Sequence, residues 1–80
     1  MISDAEKKSL VVGLKQVKKA LQANKVNKIF IANDCSTALK TSIEELCKNV
    51  DISPIYIESM TQLGRECGID VKASCACICK

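Results

Sequence analysis

The sequence predicts an α/β fold, a three-layer α/β/α sandwich around a small sheet. Two observations carry that expectation. The runs Lys28–Ala32, Ile55–Glu58 and Ala73–Ile78 are short and apolar without a period of two, as strands covered on both faces are. Between them lie segments with helical spacing, the strongest being Leu39, Ile43, Leu46, Cys47 and Val50 at i, i+4, i+7, i+8 and i+11. Strands that alternate with helices bury their sheet by placing helices on both of its faces.

Taken in order, Ser3-Asp4-Ala5-Glu6 has the S-x-x-E form of a capping box and predicts a first helix running through Leu10 to about Val12. Gly13 breaks it. A second helix follows over about Leu14–Ala23, with Leu14, Val17 and Leu21 as its apolar stripe and Asn24 as a cap residue. Lys15, Gln16, Lys18, Lys19 and Gln22 fall off that stripe. After the strand Lys28–Ala32, the stretch Asn33-Asp34-Cys35-Ser36 supplies turn and capping oxygens. Glu44 and Glu45 are adjacent on the third helix, point in different directions, and read as a solvated face. Asp51–Pro54 is a connection, and Pro54 suits the edge of the next strand. Ser59-Met60-Thr61-Gln62 repeats the capping-box form. Met60, Leu63, Gly64 and Cys67 make the apolar face of that helix, and Gly68 suits its end. Ile69–Lys72 is a loop before the last strand. An extra short strand beside one of the loops is allowed by the pattern but not located by it.

The chain has 80 residues, which is expected to make one domain with a modest core burying roughly 60–65% of its unfolded surface. It is 48% hydrophobic and 26% charged, too apolar for a disordered chain. The net charge is only +3, but Lys7, Lys8, Lys15, Lys18, Lys19, Lys25 and Lys28 span a stretch with no acidic residue. Two readings fit that run: solvated helix faces, or a basic surface aimed at an anionic partner. Gly13 and the helix after it favour the second. A helix start has unpaired backbone N–H groups and the positive end of a dipole, and here several ammonium groups stand beside it. Gly13 would also allow another backbone to come close. Nothing approaches the ~20 apolar residues of a membrane span, and Leu10-Val11-Val12 is too short for a signal core. A cytoplasmic location with reduced cysteines is therefore expected.

Several kinds of chemistry are missing. The chain has no histidine, no Walker loop and no G-x-G-x-x-G, which argues against an enzyme. Asp34 follows a strand, where catalytic groups can stand, but a turn or cap role fits it better. Phe30 and Tyr56 are the only aromatics, too few for stacking single-stranded bases. Cys75-Ala76-Cys77-Ile78-Cys79 resembles a metal motif, yet same-face strand neighbours lie ~6.6–6.8 Å apart. Tetrahedral zinc needs its sulfurs within about 4 Å of one another. These residues, with Cys35, Cys47 and Cys67, are expected as small core side chains, with no metal and no cofactor. A metal or thiol module is the rival reading.

Two pieces of the chain carry a resemblance. One is Gly13-Leu14-Lys15-Gln16-Val17 with Lys19-Ala20, followed by Lys25-Val26, Ile29-Phe30-Ile31-Ala32 and Asp34. The other is Glu58-Ser59-Met60 with Leu63-Gly64-Arg65-Glu66-Cys67-Gly68-Ile69-Asp70-Val71. At this separation they resemble the kink-turn-binding ribosomal proteins, the large-subunit "L seven Ae" and "L thirty e" group, and in particular its short bacterial members. The resemblance implies a mixed sheet and an RNA site at one end of it. Gly13, Leu14, Lys15, Gln16, Lys18 and Lys19 would enter the widened groove beside two sheared G·A pairs. Lys15 and Gln16 would contact guanine edges, with Lys19 on the same region or on nearby phosphate. Ile69, Asp70, Val71 and Lys72 would cover the bent nucleotides. The implied partner is structured RNA, a kink-turn in ribosomal RNA or a riboswitch, bound by a monomer away from membranes. A protein–protein module of the same fold is the alternative. The chemistry agrees: lysine donors suit guanine O6 and N7, and an A-form major groove admits a side chain only where the duplex is distorted. The chain departs from the family in three places. Lys15-Gln16 stands where archaeal and eukaryotic members have Asn-Glu, Leu14 where a small or hydroxyl residue is expected, and cysteines where the last strand prefers alanine, valine and isoleucine.

Overall fold

The computed structural model describes residues 4–80. Its elements in chain order are α1 (Asp4–Lys7), β1 (Leu10–Val12), α2 (Leu14–Gln22), β2 (Val26–Ala32), α3 (Thr37–Asn49), β3 (Ile55–Ile57), α4 (Met60–Cys67) and β4 (Cys75–Cys79). The strands form one sheet in the order β1-β4-β2-β3. β4 runs antiparallel to both β1 and β2, and β3 runs parallel to β2, so the sheet is mixed. α2 packs on α3 and on β4, while α4 packs on β2, β3 and β4. The α/β/α expectation therefore stands.

One expected element is different. The first helix stops at Lys7, and Leu10–Val12, read above as its continuation, is the edge strand β1. Residues Leu10, Val11 and Val12 pair with Ile78, Cys77 and Ala76. Without that pairing β4 would leave one row of backbone N–H and C=O groups open beside a fully buried strand, where orphan polar groups are costly. A single helical turn has no comparable return, because helix initiation is unfavourable until further turns are added. The Ser3 half of the expected capping box lies outside the described residues.

The core fills both sides of the sheet. Val17, Leu21, Ile29, Ile31, Ile43, Leu63, Cys75, Ala76 and Cys77 are all fully buried. Four successive buried residues from Cys75 to Ile78 need small or slim side chains, since both faces of β4 are covered. Cysteine serves there as a small apolar residue, as expected, and five of the six cysteines lie in the core.

The two later helices start on the serines expected to cap them: Ser36 accepts from the Leu39 N–H and Ser59 from the Gln62 N–H. Gln62 does not complete a capping box, because its side-chain amide donates to Glu66 instead. All three long helices end in the same way, on a left-handed residue closed by two crossed backbone bonds. For α2 the residue is Asn24, with Asn24 N–H to Leu21 O and Lys25 N–H to Ala20 O, both 3.0 Å. For α3 it is Asp51 (φ 58°), and for α4 it is Gly68 (φ 75°). Asp51 is the poorest of the three, since it has a side chain in αL and a carboxylate at the negative end of a dipole. Asp51→Gly is expected to stabilise the fold by about 0.5–1 kcal/mol, raising the melting temperature by a few degrees in a thermal unfolding scan. An unchanged or lower melting temperature would contradict this account of the turn.

Candidate nucleic-acid interface

The sheet register gathers the ends of β1, β2 and β3 and the start of β4 at one end of the molecule. Three helix N-termini therefore open there: α2 after Gly13, α3 after Ser36 and α4 after Ser59. They are not equivalent. The amides of α3 and α4 are met by serine hydroxyls, and the Met60 N–H also finds Asp34 Oδ1 at 2.7 Å, so Asp34 is a second cap for α4. At α2 no side chain caps the helix and no acidic residue stands in its first turn. The positive end of that helix is left open, with Lys15 and Gln16 exposed on it.

Gly13 shapes this end. Its φ of 106° and ψ of 149° suit glycine, and a Cβ built there would meet nothing within 4 Å among the described residues. The expected close approach of another backbone is thus not made by the protein itself, and the space over Gly13 is open. Its N–H donates to the Cys75 carbonyl at 3.1 Å, and its own carbonyl accepts the Val17 N–H at 3.0 Å. Leu14, at the position where a smaller residue was expected, turns inward and packs against the core.

The Gly13–Cys75 bond also locates the second predicted segment. Lys72 precedes Cys75 by three residues, a reach of at most about 10 Å, so the end of Ile69–Lys72 lies at the same end of the sheet as the start of α2. The loop is held against α4 by Ile69 N–H to Gly64 O at 3.0 Å and Ala73 N–H to Met60 O at 3.1 Å. Ile69, Asp70, Val71 and Lys72 line an open depression of about 380 Å³ with Thr61 and Arg65 of α4. Val71 is 68% exposed, the most open large apolar side chain among the described residues. Thr61 and Arg65 were not singled out from sequence. Their i, i+4 spacing on α4 was available, but only the fold brings that face to the loop.

The other lysines do not form one surface with Lys15. Lys19 is exposed, and with Gln16 it lines the β1 side of α2. Lys18 is half-buried and turned toward α3, in a groove with Gln22, Ser42 and Glu45, so it is set apart from Gln16 and Lys19. Lys7 lies over Gly68, and Lys28 pairs with Glu6 at 2.9 Å; both belong to the opposite end of the sheet from Gly13. The acid-free lysine run thus serves two ends of the molecule.

Cys35, Cys47, Cys67, Cys75 and Cys77 sit in surroundings that keep their thiols protonated. Burial, with Cys79 beside it, pushes Cys77 up to about 12, and burial also raises Cys75, Cys47, Cys67 and Cys35. A protonated, buried thiol is a poor nucleophile and a poor metal ligand. Among the described residues no group of three or more His, Cys, Asp or Glu is arranged to hold a metal ion. Glu44 accepts a hydrogen bond from the Tyr56 hydroxyl, an interaction across the surface between α3 and β3 rather than a solvated carboxylate. No helix among the described residues is long and apolar enough to cross a membrane.

The model of the family described as "Ribosomal protein L7Ae/L30e/S12e/Gadd45 family" matches residues 2–80. The chain belongs to that family. Among its relatives, an RNA-binding protein of Caldanaerobacter subterraneus subsp. tengcongensis is 44% identical over 66 residues, 82% of this chain and 80% of that one. An RNA-binding protein of Halalkalibacterium halodurans is 40% identical over 65 residues, 81% of this chain and 79% of its own. One of Bacillus pumilus is 34% identical over 74 residues, 92% and 90% of the two chains. The fold also matches a solved structure, described as a protein with unknown function from Bacillus halodurans C, at a TM-score of 0.85. That match covers 95% of this chain and 76% of the other at 22% identity, and it speaks for the fold alone.

Proposed function

We propose that this protein binds structured RNA at a kink-turn, acting as a single monomeric domain in the cytoplasm, on or beside the ribosome. The observation that carries the reading is the open N-terminus of α2. Among the described residues it is the one long helix without a capping side chain, its first turn holds no acid, and it presents Lys15 and Gln16 to solvent. Family membership and the names of the relatives support RNA as the anion it meets.

In this reading Gly13 leaves room for the RNA backbone, and Lys15 and Gln16 reach guanine edges in a groove widened by sheared G·A pairs. Lys19 takes the same region or a nearby phosphate. Leu14 acts from beneath by packing the first turn onto the core, and Lys18 acts only through charge, since it is turned toward α3. Ile69 and Val71 lie against the bent nucleotides with Asp70 and Lys72 at their edge. The apolar surface of Val71 suits an unstacked base, which a duplex would not offer.

The test is a gel-shift titration against a kink-turn RNA and against the same RNA with its G·A pairs replaced by Watson–Crick pairs. The expected result is clear preference for the kink-turn, with affinity falling as salt rises because bound phosphates release counterions. Equal affinity for the two RNAs would refute the proposal.

A further inference from the structure

The site at the start of α2 continues into a groove whose far part, beyond Gln16 and Lys19, the reading above does not use. Val11 of β1 forms one wall. Gln16, Lys19, Ala20 and Ala23 run down the facing side of α2, and Lys25 closes the far end, enclosing about 240 Å³ of open space. Two features make it more than a gap between elements. Among the described residues its lining contains two lysines and no acid, and two alanines keep its floor free of bulky side chains. The turn after α2 also fixes Lys25 in place: the Lys25 N–H is bonded to Ala20 O and the Asn24 N–H to Leu21 O, both at 3.0 Å. Lys25 therefore stands at a set position past the last turn, about 13 Å along the helix axis from the end that carries Lys15.

We infer that this groove holds the sugar-phosphate backbone of the RNA stem that leads away from the kink, with Lys25 as a phosphate contact one helix length from the base-reading end. The inference rests on the proposed function and extends it, making affinity depend on the length of one stem. Charge complementarity and continuity with the first turn of α2 choose the occupant, because Gln16 belongs to that turn and also lines the groove with Lys19. A purely structural account also exists for Lys25, since a cation past a helix C-terminus favours the dipole. That account predicts a loss of stability, not of binding.

The experiment compares wild type, Lys25→Gln and Ala23→Glu by gel-shift on two RNAs. One is a kink-turn whose stem is long enough to run the length of α2; the other is the same RNA with that stem cut back to the G·A pairs. Ala23 is exposed at the end of α2, so the glutamate places a negative charge in the groove while leaving Lys15 and Gln16 in position. Wild type is expected to bind the long-stem RNA several-fold more tightly. Lys25→Gln should lose about one unit of salt slope on the long-stem RNA, and both variants should bind the two RNAs nearly equally. Equal wild-type affinity for both stems overturns the groove assignment and leaves the kink-turn reading standing. A Lys25→Gln variant that melts lower but keeps the wild-type preference for the long stem overturns it too. Failure of wild type to bind either RNA overturns both.

Discussion

Lys15→Ala is expected to weaken binding to a kink-turn RNA by about 1–3 kcal/mol, roughly 5- to 150-fold, without lowering the melting temperature. The two halves of that expectation have one cause. Lys15 lies in the first turn of α2, where its ammonium faces the positive end of the helix dipole and no acid offsets it. For the fold alone this is an unfavourable place for a cation, by about 0.3–1 kcal/mol, and alanine is the better helix former. The variant should therefore melt at or slightly above wild type. A residue that costs stability where it stands and reaches solvent is best explained by what it meets there. Lys18→Ala is the matched control. It removes the same charge from the same helix, but from a side chain turned toward α3, so its effect should be the smaller one and chiefly a change in salt dependence. Thermal unfolding and gel-shift titration on the same preparations check both. If Lys15→Ala bound as tightly as wild type, α2 would not be the reading element.

The relation between sequence and structure here divides along local and non-local physics. The helices α3 and α4 were legible because apolar period and capping serine agree, Ser36 and Ser59 capping as expected and Gly68 closing α4 in the left-handed region, and α2 because its period lies between Gly13 and Asn24. β1 was not legible. Leu10-Val11-Val12 is an apolar run too short to choose between helix and strand, and the choice is made by β4, more than sixty residues away. The same limit applies to the site. Lys15 and Gln16 are exposed at a helix start after a half-buried Gly13, as their spacing implied, yet the division of the lysines between two ends follows from strand direction. Lys18 and Lys19 are adjacent in sequence and about 100° apart around α2, and they line different grooves because the helix packs on α3 along one side and beside β1 along another. Asp34 was readable as a capping residue, but its helix proved to be α4, next to a strand that pairs with its own.

Gly64→Ala should both destabilise the protein and weaken RNA binding, and the sign of the first effect is diagnostic. Gly64 is a buried residue inside α4, where alanine would ordinarily gain about 1 kcal/mol in helix propensity. A Cβ at this position, however, would lie 2.2 Å from the Val71 carbonyl oxygen, 3.2 Å from its carbonyl carbon and 3.5 Å from the Lys72 Cα. All three are backbone atoms, so no side chain can swing aside, and the loop must move by more than an ångström. That segment is bonded to α4 on either side of the contact, through Ile69 N–H to Gly64 O and Ala73 N–H to Met60 O. Moving it therefore strains both bonds. Overpacking of this kind costs about 1–3 kcal/mol, which outweighs the propensity gain and corresponds to a drop of roughly 5–15 °C in melting temperature. Because the displaced atoms are those of Val71 and Lys72, affinity should fall even well below the new melting temperature. Gly68→Ala separates this from an ordinary glycine effect. Among the described residues its Cβ would meet only the Lys7 ammonium at 3.7 Å, so it bears the left-handed backbone cost of about 1 kcal/mol and leaves the loop where it is. Measured side by side in the cold, Gly68→Ala should bind RNA like wild type and Gly64→Ala should not. A Gly64→Ala protein that melts higher than wild type would mean that the loop yields freely, and that its position against α4 is not what holds Val71 out toward solvent.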